Sequence, residues 1–137
     1  MRVGDRKKRD LAVLARFLCE YCKSPEAYAT HRFSVDHIVP CSKGGSSGIE
    51  NLAYACQGCN SFKYNKIEGL DPLTGKMFPL FNPRTQEWKS HFAWNEDYTR
   101  MIGRTRYGVV TILALRLNRP NLINLRKLLV GTGKHPQ

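Results

Sequence analysis

The chain has 137 residues, 42% of them apolar and 24% charged, which suits one compact core, or one core with an appendage, and excludes wholesale disorder. No apolar run approaches the roughly 20 residues that cross a bilayer; the stretch Leu11–Leu18 is interrupted by Arg16 and no small-residue cleavage site follows it, so a cytoplasmic protein with no membrane partner is expected. Lys and Arg number 22 against 11 Asp and Glu, a net charge of +11, and a polyanion suits such a surface because released counterions favour phosphate binding.

In chain order, Leu11, Leu14 and Leu18, with Ala15 beside them, mark one apolar helical face over residues 6–18. Arg6, Lys7, Lys8 and Arg9 open that helix, either to contact phosphate or simply to be solvated. Residues 32–39 read as a strand with Phe33, Val35, His37 and Val39 on one parity, stopped by Pro40. A polar loop, Ser42–Gly48, contains three glycines and leads to a return strand over Asn51–Cys56. A helix is expected from Asn60, with Gly58 loosening the turn before it. Residues 67–86 read as an irregular connector punctuated by Pro72, Pro79 and Pro83. Trp88–Trp94 and Tyr98–Ile102 read as two strands around Asn95-Glu96-Asp97. Thr105 caps a helix to about Leu117 with Val109, Ile112, Leu113 and Leu117 as its stripe, and a last helix, about Asn121–Val130, carries Leu122, Leu125, Leu128 and Leu129.

Four of the five cysteines form two C-x-x-C pairs, Cys19/Cys22 and Cys56/Cys59. A two-residue gap lets both sulfurs of a turn face one ion, and two such turns complete a closed tetrahedral zinc site, structural because no position is left for substrate. A disulfide reading needs an oxidising compartment, and a thioredoxin-like redox pair explains one C-x-x-C but not two. Cys41 is left over and reads as a small, partly buried residue. His31, His91 and His135 have no partner in the pattern; His91 reads as a strand residue near Trp88 or Trp94, and His135 lies in a loose tail. Trp88, Trp94 and Tyr98 could stack on bases, although packing in a small sheet is the commoner use.

The zinc turns bring together Asp36-His37, Asn51 and Asn60, each of which alone is explained as an incidental strand-end pair, a turn cap or a helix cap. Together with Cys19-x-x-Cys22, Val35-Asp36-His37-Ile38-Val39-Pro40, Ser42-Lys43-Gly44-Gly45, Asn51-Leu52 and Cys56-x-x-Cys59-Asn60 with Lys63 one turn on, they resemble an HNH endonuclease of the ββα-metal (His-Me finger) class over about residues 17–66. Leu80-Phe81-Asn82-Pro83-Arg84, Trp88 and His91-Phe92 resemble the tail of one bacterial HNH subgroup.

The resemblance implies an α+β fold: an HNH core with its N-terminal helix over residues 1–66, and a C-terminal extension over 67–137 of connector, hairpin and two helices. It implies that His37 is the general base, that Asn51 holds the loop so that His37 faces the attacking water, and that Asp36 and Asn60 are the protein ligands of a catalytic Mg²⁺ or Mn²⁺, Asn60 standing where the last His of the family name usually sits. Lys43 and Lys63 are candidate phosphate contacts. The implied activity is hydrolysis of DNA phosphodiester bonds to 5′-phosphate and 3′-hydroxyl ends. Two other classes compete: a zinc-stabilised nucleic-acid-binding module without cleavage, and a zinc-containing protein-interaction domain, which leaves the charge and the His37 cluster unused. Homodimer formation, which would turn nicking into double-strand cleavage, is left open.

Overall fold

A computed structural model describes residues 3–137. Short helices and two-stranded antiparallel sheets make an α+β chain. It divides into two compact units, one running to Ile67 and including Asn82–Thr85, the other comprising Glu68–Phe81 and Gln86–Gln137.

In the first unit, helix α1 spans Asp5–Leu14, shorter than the pattern suggested. Arg16 and Phe17 both take φ of +58°, so the chain turns out of the helix before Leu18. Leu11, Ala12, Ala15 and Leu18 are buried, whereas Leu14 is exposed and does not belong to the expected face. Strands β1 (Ser34–His37) and β2 (Leu52–Ala55) pair antiparallel, with Asp36 opposite Ala53 and His37 opposite Leu52. β2 is buried at every position, because β1 pairs with it and α1 packs against it. The buried parity of β1 is the even one: Asp36 and Ile38 are inside, and Val35, His37 and Val39 are half-buried. Helix α2 starts earlier than expected, at Gln57, and ends at Lys63, so Gly58 and Asn60 lie within it. Cys56, rather than an oxygen-bearing residue, is its N-cap: its sulfur accepts from the Cys59 amide at 3.4 Å. Cys41, expected to be partly buried, is exposed in a short 3-10 turn.

The second unit corrects the extension at several points. The connector contains a hairpin, β3 (Glu68–Leu70) with β4 (Met77–Pro79). Its turn is held by Asp71, whose carboxylate accepts from the Leu73 amide and pairs with Arg106 at 2.9 Å. Trp88–His91 forms a helical turn, α3, before strand β5 (Phe92–Trp94), which pairs with β6 (Met101–Gly103). Trp88 and Trp94 pack on each other with ring centroids 5.4 Å apart. His91 meets Thr105 Oγ1 at 2.7 Å and the ring of Tyr107. His135 is buried rather than loose, its Nε2 2.9 Å from the Tyr98 carbonyl and its ring edge-on to Trp94.

Helix α4 (Arg106–Leu115) is capped by Thr105 as expected, but it buries Gly108, Val110, Thr111 and Leu115, and Leu113 is exposed. Gly108 is required there: a Cβ would lie 2.0 Å from the His91 carbonyl oxygen. Helix α5 (Pro120–Gly131) buries Leu122, Arg126 and Leu129, and leaves Leu128 exposed. Arg126 donates to the carbonyls of Thr99 (3.1 Å) and Leu117 (2.8 Å) and to Asn118 Oδ1 (3.3 Å), beneath the Trp94 ring. Replacing it by Leu strands those acceptors in the interior. Arg126→Leu is therefore expected to lower stability by about 3 kcal/mol, measured by urea unfolding; an unchanged midpoint would show that the network contributes nothing.

Candidate metal centre and cleft

The sulfurs of Cys19, Cys22, Cys56 and Cys59 all lie within 4.8 Å of one another, Cys22 and Cys56 being 3.7 Å apart. Four sulfurs at about 2.3 Å from a tetrahedral zinc ion are separated by about 3.8 Å, so the donor set fits zinc in both chemistry and spacing. The first turn is built by backbone bonds from Cys19 N to Ser24 O and from Lys23 N to Cys19 O, both 2.9 Å, with Lys23 at a φ of +63°. Burial pushes the Cys19 thiol up and the hydrogen bond with Cys19 pushes Cys22 down. Thiols this close cannot all ionise alone, and a divalent cation removes that conflict. Glu20, inside the first turn, joins it to β2 through Tyr54: Glu20 N donates to Tyr54 O, and Tyr54 N donates to the Glu20 carboxylate. Arg84 forms an ion pair with the same carboxylate.

His37 stands at the end of β1, half-buried, its Nε2 3.0 Å from Ser47 Oγ. Burial pushes its pKa below the ordinary histidine value, which favours a neutral ring at pH 7. Asn51 braces the intervening loop at both ends. Its Oδ1 accepts from Val39 N at 2.9 Å, while Nδ2 donates to Val39 O at 2.9 Å and Ser46 O at 2.7 Å. Gly45 fits against this brace because a Cβ would fall 1.6 Å from Val39 O.

His37 and Asn60 line one open cleft of about 320 Å³, together with Val3, Lys8, Ser34 and Val35. Asp36 is not brought into it. A strand sends successive side chains to opposite faces, and the Asp36 carboxylate is buried against the Lys63 ammonium (3.0 Å) and the Tyr21 hydroxyl (2.7 Å). Lys63 also donates to the carbonyls of His37 (3.2 Å) and Ile38 (3.1 Å). At 1% exposure it does not meet the expectation of a phosphate contact: its donors are spent inside. Lys43 is exposed and donates to Asn65 O. The sequence gives no signal for Ser47 or Tyr21, a loop serine and a tyrosine between two cysteines, while Lys8, named only as one of a basic run, is the member of that run that lines this cleft. Lys7 reaches the same loop, donating to Ser47 O at 2.8 Å.

Two outcomes are expected. Cys56→Ser unfolds the first unit and abolishes the one zinc per chain expected of wild type, read by circular dichroism and metal analysis; a stable, folded, zinc-free variant would contradict a structural site. Asn51→Ala lowers stability by about 2 kcal/mol and speeds hydrogen exchange at the Val39 amide, while unchanged exchange would show that Asn51 does not brace the loop.

Residues 19–66 match the family model described as HNH endonuclease. No curated protein and no solved structure matches the chain. The matched segment holds all four clustered cysteines, the β1–β2 hairpin and α2, and the likeness to the HNH endonuclease family extends over these residues.

Proposed function

We propose that this domain is a metal-dependent endonuclease that hydrolyses DNA phosphodiester bonds. The observation that carries the reading is the shared cleft of His37 and Asn60, with a lysine on its rim. Ser47 Oγ, 3.0 Å from Nε2, holds the ring, and the unprotonated ring nitrogen takes a proton from water. The water oxygen bonds to phosphorus, the bond to the 3′ oxygen breaks, and that oxygen leaves with a proton from solvent. Asn51 keeps the ring in place by fixing Val39, two residues on. Asn60 offers a hard amide oxygen, and the Asp36 carboxylate is a second donor once Lys63 yields an oxygen. Mg²⁺ or Mn²⁺ held there supplies neutralisation of the phosphate and of the leaving oxygen. Thiolate zinc ligation suits the reducing cytoplasm.

A second reading has one observation in its favour: Asp36 is already charge-paired with Lys63. On that reading the domain binds nucleic acid without cleaving it.

Plasmid incubated with Mg²⁺ or Mn²⁺ separates the two. The nuclease reading expects nicking that chelator abolishes and that His37→Ala lowers at least about 100-fold with DNA binding retained. Binding without cleavage under either metal would establish the second reading instead.

A further inference from the structure

Beside the cleft lies a larger cavity, about 530 Å³, also within the first unit. Its walls include Arg6, Lys8 and Arg9 from α1 and Arg32 from the segment before β1. Lys8 lines both hollows, so one cation stands between them. Phe17, half-exposed and turned outward after α1 by its left-handed backbone, adds an aromatic face. Two carboxylates share the space. Glu26 is engaged by the Tyr54 hydroxyl at 2.7 Å and by the Phe33 amide at 2.8 Å, and Asp5 stands in the first turn of α1. Cations therefore dominate the wall.

Resting on the nuclease reading, we propose that this cavity is the track for the DNA strand flanking the cleaved bond: Arg6, Arg9 and Arg32 hold successive backbone phosphates, Lys8 passes the strand into the His37–Asn60 cleft, and Phe17 meets a base or sugar. Four cations around one hollow suit an anion that carries charge at several points, as a nucleic-acid backbone does. Each phosphate neutralised releases counterions, so binding through this track has a salt dependence that counts the contacts. The aromatic wall suits an unstacked base better than a paired one.

The test is binding of a fluorescent DNA oligonucleotide, without divalent metal, across a salt series. The 137-residue chain is compared with Arg6→Ala/Arg9→Ala/Arg32→Ala, with the matching triple Lys variant, and with Lys76→Ala/Lys89→Ala/Lys134→Ala as a control of equal charge loss in the second unit. The triple Ala variant is expected to bind at least 10-fold more weakly, with a slope of log affinity against log salt shallower by about 2. The Lys variant is expected to keep the wild-type slope, and the control to change it by less than one contact. Phe17→Ala is expected to weaken single-stranded binding more than duplex binding. Equal losses in the triple Ala variant and the control would overturn the track, as would a wild-type slope in the triple Ala variant. Failure of the nuclease reading looks different: wild-type binding with this pattern but no metal-dependent cleavage.

Discussion

Four sulfurs within 4.8 Å of one another join a turn that follows α1 to the turn that begins α2. Cys22 and Cys56, in direct contact, are 34 residues apart in the chain, and holding such a loop closed without a strong link is entropically costly. The hairpin enclosed by that loop has strands of four residues each, too little for independent stability. The thiolate cluster is therefore what allows the hairpin and α2 to hold a fixed relation. His37 ends one strand of that hairpin, and Asn60 follows Cys59 directly. Both side chains owe their shared cleft to sulfur atoms that do not line it.

The period of a strand decides the rest. Asp36 and His37 are neighbours in sequence, yet one faces the interior and the other the cleft. Burial pushes the Asp36 carboxyl up and the Lys63 ammonium down, while each charge pulls the other back toward ionisation. Either charge alone would cost several kcal/mol in that setting. Lys63 sits in the last turn of α2 and also binds the carbonyls of His37 and Ile38, so the pair fastens α2 to β1. A divalent cation that used Asp36 would have to displace this ammonium, so on the proposed nuclease reading the ion pair would compete with the metal as well as brace the core.

What the sequence makes legible follows from the range of each interaction. The cysteine spacing, the Thr105 cap and the paired strands of the core are local patterns with a strong steric reason, and the folded chain has them. The face of α4 was not legible: Val109-Val110-Thr111-Ile112-Leu113-Ala114-Leu115 is apolar on nearly every side, so periodicity cannot choose one, and Thr111 is buried because its hydroxyl accepts from the Phe81 amide. Arg126 escaped for the converse reason, since only carbonyls gathered from distant segments make its burial tolerable. At the site, the residue types were legible, but the inward turn of Asp36 and the withdrawal of Lys63 depend on which parity of β1 meets the core. Phe33, just before the strand, is buried and shares its parity with Val35, yet from Val35 onward Asp36 and Ile38 are the buried residues.

The start of α1 is locally unfavourable, and that has a consequence for charge. Four consecutive cations, Arg6 to Arg9, stand at the positive end of the helix dipole, where acidic residues would stabilise it. Gly4 at the N-cap supplies no side-chain acceptor, and Asp5 is the one acid of the first turn. A helix of ten residues with these features would barely form alone; it is held by Leu11 and Ala12, buried in the first unit, and by its packing against β2. Apolar burial thus stabilises a row of charges that local electrostatics opposes, the kind of conflict between levels that concentrates at functional surfaces. An anion along that row would relieve both the mutual repulsion and the opposed dipole, so binding there would stabilise α1 as well as place the anion beside Lys8 and the cleft.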